Sequence, residues 1–196
     1  METPKLALTP LETDRLILRR FAAGDAADLF AYLRQPRAAC FAAMSLLDMA
    51  AAEVEVLKRA AEGEYIAVKS KADGHVIGDV FAMFEAPDTW SIGWNFNSAY
   101  AGAGYASEAA SALVDHLFKD KAARRLYAYV EDDNLVSQRL CERLGMRREG
   151  LFREFISFVN DAAGQPIYVN TYQYALLRHE WRLTVSKKAS PDRRTP

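Results

Sequence analysis

The sequence predicts an α+β domain: a mixed, mostly antiparallel central sheet flanked by helices, in a three-layer α/β arrangement. Three observations carry this. The apolar pattern alternates between strand and helix periods in the order β-α-α-β-β-β-α-β-α-β-β. Two turn segments, Ala72-Asp-Gly-His75 and Asn160-Asp-Ala-Ala-Gly-Gln-Pro166, join neighbouring strands as hairpins and so make them antiparallel. One βαβ crossover sits in the middle, with hairpins before it and a closing hairpin after it, which implies a mixed sheet rather than a doubly wound parallel one.

Taken in order, residues 15–21 read as the first strand. Gly24-Asp25 opens a helix that runs to Arg34, with Ala26, Leu29, Phe30 and Leu33 at helical spacing, and Pro36 ends it. Residues 37–47 are irregular. Asp48 is placed to cap a helix over 49–62, which Gly63 closes. Strands follow at 65–69, 76–84 and 90–96, then a helix from Tyr105 to about Lys119. A strand at 125–130, a helix at 134–144 ending on Gly145, and strands at 147–158 and 167–177 complete the domain. The folded unit is expected to be a single domain over 11–183, with a loose lead-in at 1–10 and a disordered basic tail at 184–196.

Bulk properties narrow the function classes. A chain of 196 residues with 51% hydrophobic and 26% charged residues describes an ordinary globular protein with room for one sizeable core. The net charge of -1 gives no reason to expect a nucleic-acid or membrane partner. Lys187, Lys188, Arg193 and Arg194 against Asp192 make the tail basic, so the body is mildly acidic and suits a cationic substrate. No basic n-region with an apolar core opens the chain, and no apolar run approaches the roughly 18 residues of a membrane span. Cys40 and Cys141 form no CxxC pair, and the expectation is two free thiols in the cytoplasm. His75, His116 and His179 have no metal spacing, and no metal is expected.

The chemistry concentrates in Tyr100-Ala-Gly-Ala-Gly-Tyr-Ala-Ser-Glu-Ala109, where Gly102 and Gly104 immediately precede a helix. A helix start has backbone N–H groups without partners and the positive end of the dipole, and glycines let an anion approach them. The segment therefore reads as a phosphate cradle, although a flexible glycine turn before a helix has the same composition. A Walker A loop is excluded because no Gly-Lys-Ser/Thr follows. A dinucleotide fingerprint is the closer rival: Ser107 stands at the third glycine position and Glu131 ends the next strand. Against it, residues 97–101 separate strand from first glycine, and the upstream strands are joined by hairpins.

Four segments together resemble the Gcn5-related N-acetyltransferase (GNAT) family, and within it the ribosomal-protein alanine and serine N-acetyltransferases. They are Thr13-Asp-Arg-Leu-Ile-Leu-Arg19, Ile92-Gly-Trp-Asn-Phe96, the glycine segment, and Val130-Glu-Asp-Asp-Asn134 with Ser137 and Arg143-Leu-Gly-Met146. The resemblance spans about 11–182 and implies a GNAT-like acyl-CoA N-acyltransferase fold, with acetyl-coenzyme A as co-substrate. It implies cofactor contacts at Phe96, Asn97, Ala101, Gly102, Ala103, Gly104, Tyr105, Ala106 and Asn134. The chain departs from the family at three places: Ala99 stands where Arg or Gln begins the signature, Cys141 where many members have a tyrosine, and Ser91 where many have a glutamate.

In such enzymes a primary amine, of a protein N-terminus or a small molecule, attacks the thioester directly in a ternary complex. A backbone N–H near Phe96–Asn97 is expected to hold the carbonyl oxygen as it gains charge. Ser137 is the candidate proton donor to the departing thiolate, one helical turn before Cys141. The plainer readings are that Asn134 is an N-cap and Ser137 a small helix residue. A non-catalytic coenzyme A-binding module and a Rossmann-type nucleotide enzyme are the alternatives. The acceptor amine is the only expected partner, and the protein is expected to be a monomer or homodimer.

Overall fold

The computed structural model describes Leu6, residues 9–36 and residues 38–189. Most of the expected lead-in over 1–10 and the tail over 190–196 lie outside the described residues. The elements are β1 (Leu11–Glu12), β2 (Leu16–Arg20), α1 (Ala26–Leu33), α2 (Met49–Glu62), β3 (Tyr65–Ser70), β4 (Val76–Glu85) and β5 (Thr89–Phe96). They continue with α3 (Tyr105–Lys119), β6 (Arg125–Glu131), α4 (Leu135–Arg143), β7 (Arg147–Asn160), β8 (Pro166–Leu177) and α5 (Arg178–Ala189). Short 3-10 turns at Ala23–Asp25, Ala39–Met44 and Ser98–Tyr100 lie between them.

All eight strands form one sheet in the order β1-β2-β3-β4-β5-β6-β8-β7. Every pairing is antiparallel except β5 with β6. A dinucleotide half-fold needs parallel strands joined by successive crossovers, so the Rossmann reading falls here. The two faces are covered separately. Leu113, Val114, Leu117 and Phe118 of α3 pack with Leu16, Leu18, Val80, Ile92, Leu126 and Leu176 on one face. On the other, Leu29 and Leu33 of α1 and Ala52 and Val56 of α2 pack on Ala67 and Val76, near the β2–β4 end of the sheet. Burying a leucine of this kind stabilises by roughly 1.5–3 kcal/mol.

The helix ends follow local chemistry. Asp48 Oδ1 accepts from Ala51 N–H at 2.8 Å, which caps α2, and Gly63 at φ 75° closes it in the left-handed conformation. Under α2 lies a buried ion cluster. Arg59, 1% exposed, donates to Asp79 at 3.0 Å and to Glu55 at 2.8 Å, and Tyr32 donates to Asp79 at 2.8 Å. The rings of Tyr65 and Phe21 flank the guanidinium at 4.1 and 5.7 Å.

Two elements have no counterpart in the sequence reading. The two-residue β1 is visible only through its pairing with β2. The helix α5 carries the chain through the first residues of the segment expected to be disordered. Its polar sequence is anchored tertiarily: Trp181 stacks on Phe118 at 5.3 Å and donates to Asp115 at 2.9 Å, and Glu180 accepts from Leu177 N–H at 2.9 Å.

Candidate active site

Strands β5 and β6 pair only where Thr89–Ser91 meet Arg125–Tyr127. Beyond these pairs β5 continues to Phe96 and β6 to Glu131 without bonding one another, so the sheet splits along its one parallel seam. Each strand is fully bonded on its far side, β5 to β4 and β6 to β8. The facing edges therefore present backbone N–H and C=O groups to the gap.

Which groups of β5 face the gap follows from strand alternation. Asn97 N–H donates to Ile77 O at 2.9 Å, toward β4. The amide of Phe96, one residue earlier, points the opposite way, into the split. Of the two residues expected to supply an N–H for a carbonyl oxygen, Asn97 is thus already committed and Phe96 is the one so directed. The Asn97 side chain is also engaged, since Oδ1 accepts from Ala99 N–H at 3.0 Å and starts the turn into the glycine segment. Ala101 N–H closes that turn on Ser98 O at 3.1 Å, so it too is directed inward.

The split opens onto the start of α3. Gly102 and Gly104 both adopt φ 82°, a left-handed conformation that costs other residues roughly 1–2 kcal/mol. Gly104 is the N-cap of α3 and has no side-chain cap of its own. A Cβ at Gly102 would meet nothing within 4 Å, and one at Gly104 would approach only Arg15, at 3.6 Å. The loop is therefore open around both glycines, and it leads into a helix start whose first backbone N–H groups have no side-chain cap, a nest-like place where an anion can approach closely.

Residues far upstream hold this nest in place. Glu108, in the first turn of α3, accepts from Thr13 Oγ1 at 2.6 Å, from Arg15 N–H at 3.0 Å and from Arg15 Nε at 2.7 Å. Arg15 also donates to Ala103 O at 2.9 Å and lies over the Tyr105 ring at 4.6 Å. This bond ties the Ala103 carbonyl toward Arg15. Burial raises the Glu108 carboxyl, but the Thr13 hydroxyl and the Arg15 N–H and guanidinium outweigh it and hold the group below its ordinary range. Sequence reasoning noticed the 13–19 strand and Glu108 separately; nothing in either segment says that they meet.

Across the split stands α4. Asn134 is its N-cap, with Oδ1 accepting from Ser137 N–H at 3.2 Å. Ser137 Oγ accepts from Trp94 Nε1 of β5 at 3.2 Å, so this hydroxyl is fixed between the two sides of the opening while its own proton stays available. Trp94 is a further residue of the site that sequence reasoning missed. Cys141 is fully buried in the α3-side core, and burial pushes its thiol up to about 12, so it holds its proton and serves packing. Where the strands part, Tyr127 donates a short hydrogen bond to Glu85, beside Ser91. Burial and the Glu85 carboxylate push the Tyr127 phenol up to about 12, so it is neutral at physiological pH.

Residues 15–147 match the acetyltransferase (GNAT) domain family. The chain belongs to the GNAT acetyltransferase family. It is 38% identical over 108 residues to the uncharacterized N-acetyltransferase YnaD of Bacillus subtilis, a match covering 55% of this chain and 58% of that relative. A solved GNAT-family acetyltransferase from Bacillus anthracis superposes with a TM-score of 0.77 at 26% identity, covering 87% of this chain and 99% of that one. Microcin C7 self immunity acetyltransferase MccE, solved with acetyl-CoA and AMP, shares the fold: TM-score 0.68, 16% identity, 84% of this chain and 93% of that one. Among the described residues, no group of three or more His, Cys, Asp and Glu is placed to hold a metal ion. None of the described helices is long and apolar enough to cross a membrane.

Proposed function

We propose that the protein is an N-acetyltransferase that moves an acetyl group from acetyl-coenzyme A to a primary amine by direct attack in a ternary complex. The observation that carries this reading is the split between β5 and β6 leading onto the left-handed glycine nest. An extended arm with amide groups fits the open strand edges, and a pyrophosphate fits the N–H groups from Gly102 to Ala106. Asn97 and Ala101 shape the turn behind that nest, and Asn134 holds the start of α4 beside the arm.

Bound there, acetyl-coenzyme A supplies a thioester carbon to which the amine nitrogen bonds as the carbon–sulfur bond breaks. The Phe96 N–H holds the carbonyl oxygen as it gains charge. The attacking nitrogen gives up a proton to water as the amide forms, while the Ser137 hydroxyl, oriented by Trp94, gives its proton to the departing sulfur and takes one back from that water. The two free thiols fit a cytoplasmic enzyme.

Thermal-shift titration with acetyl-coenzyme A, coenzyme A and NADH tests the donor. Stabilisation by the two coenzyme A compounds is expected, and stabilisation by NADH alone would overturn the reading. Release of free thiol in the presence of an amine separates enzyme from binding module. Ser137→Ala should lower kcat about tenfold while leaving the affinity for acetyl-coenzyme A unchanged; an unaltered kcat removes Ser137 from the mechanism.

A further inference from the structure

A row of four aromatic rings leads from the point where β5 and β6 part toward the β7 edge of the sheet. Tyr127 and Tyr129 of β6 are 5.4 Å apart, Tyr129 lies 6.0 Å from Phe152 and 5.3 Å from Phe155, and Phe152 and Phe155 are 5.0 Å apart. Leu126, Ala128 and Val130 alternate with the tyrosines and point into the α3-side core, so these rings lie on the opposite face of the sheet. On that face α1 and α2 pack at the β2–β4 end, and Tyr129, Phe152 and Phe155 remain 44%, 39% and 43% exposed.

The arrangement is built into the backbone. The β7–β8 register shifts between Phe152 and Ile156, and Glu154 inside this bulge takes φ 46°, a left-handed conformation that disfavours a non-glycine residue. Asn170 holds it there: Oδ1 accepts from Glu154 N–H at 3.0 Å, and Nδ2 donates to Asp132 Oδ2 at 2.8 Å. The bulge lets Phe152 and Phe155, three residues apart, turn onto the same tyrosine. At the inner end of the row, Tyr127 donates to the exposed carboxylate of Glu85.

We propose that this row is the acceptor subsite and that it takes a primary amine borne on an aromatic group, an arylalkylamine or a peptide with an aromatic N-terminal residue. The ring of the acceptor packs among Tyr129, Phe152 and Phe155, and its ammonium group meets Glu85 beside Tyr127 at the edge of the split. A carboxylate next to exposed π faces favours a cation with an apolar body over a neutral aromatic or a polar amine. This rests on the acetyltransferase reading above, whose split lies against the same strand.

The test is calorimetric titration of the full chain, saturated with coenzyme A, with 2-phenylethylamine, n-butylamine, putrescine and kanamycin, followed by thiol-release kinetics. Phenylethylamine should bind at least tenfold tighter than the other three. Phe155→Ala should raise its KM tenfold or more with kcat within about twofold, and Phe155→Leu should lie between, both variants keeping the acetyl-coenzyme A thermal shift as proof of folding. Glu85→Gln should weaken phenylethylamine without affecting the acetyl-coenzyme A shift. Equal or tighter binding of putrescine or kanamycin overturns the subsite. So does a Phe155→Ala variant that turns from dimer to monomer in sedimentation with KM unchanged, since the rings would then serve a second copy. Aromatic preference in binding without any thiol release would uphold the subsite and overturn the acetyltransferase reading instead.

Discussion

Arg15 makes three kinds of contact with the glycine loop: an ion pair with Glu108, a hydrogen bond to Ala103 O and a stack on Tyr105. Because its side chain is 47% exposed, the ion pair adds at most about 1 kcal/mol to stability. Its larger effect is on the shape of the nest. Arg15→Met should therefore weaken acetyl-coenzyme A binding about tenfold, measured by calorimetry, with little change in Tm. Unchanged affinity would mean the loop holds its shape without Arg15. Glu108 gives a pH test of the same lock. Its folded pKa lies below the unfolded value of 4.5, so its stabilisation is complete above that value and is lost as pH falls through the folded pKa. Acid melting curves should show wild-type Tm falling more steeply than that of Glu108→Gln below about pH 4.5. The residues flanking this site were legible unevenly. Gly102 and Gly104 advertise themselves because glycine takes φ 82° without the steric cost other residues bear, whereas Thr13 and Arg15 reach Glu108 across 95 and 93 positions. No local pattern encodes such a distance.

At the scale of elements, α2 and α3 were readable end to end because their caps and apolar stripes lie within the segment itself. The helix α5 was not, since its stability comes from Trp181 against Phe118 and Asp115 of α3 rather than from its own sequence. The bulge in β7 was equally silent, because Glu154 is held by Asn170 of the neighbouring strand. The contact between α2 and the sheet carries a sharp stability prediction. Arg59→Met leaves Asp79 buried with its main cationic partner removed, and should cost about 3–5 kcal/mol in urea unfolding. A loss below 1 kcal/mol would show that water reaches Asp79 and that the ion cluster is not sealed. The glycine in β4 is constrained differently. A Cβ at Gly78 would lie 2.5 Å from Asn95 O, so Gly78→Ala should destabilise by about 1–3 kcal/mol as β4 and β5 shift apart.

For the molecule as a whole, one topological fact organises the rest. A sheet that is antiparallel everywhere but one seam has one place where two strand edges can diverge, and here that place leads to a helix N-terminus. The sequence anticipated the single crossover from the hairpin turns around it, and so anticipated the fold class. It did not anticipate that β5 and β6 pair only at Thr89–Ser91, because strand divergence is a property of the assembled sheet. Ser137 and Trp94 meet across that divergence, and the proposed acyl-donor site lies between them and the glycine loop that follows β5. Calorimetric titration of acetyl-coenzyme A into wild-type protein and Gly104→Glu tests this most directly. The account predicts binding to the wild type and a loss of at least 100-fold in the variant, whose added carboxylate occupies the anion's place while its unliganded Tm stays within a few degrees. Equal affinity of the two proteins, with both folded, would contradict it.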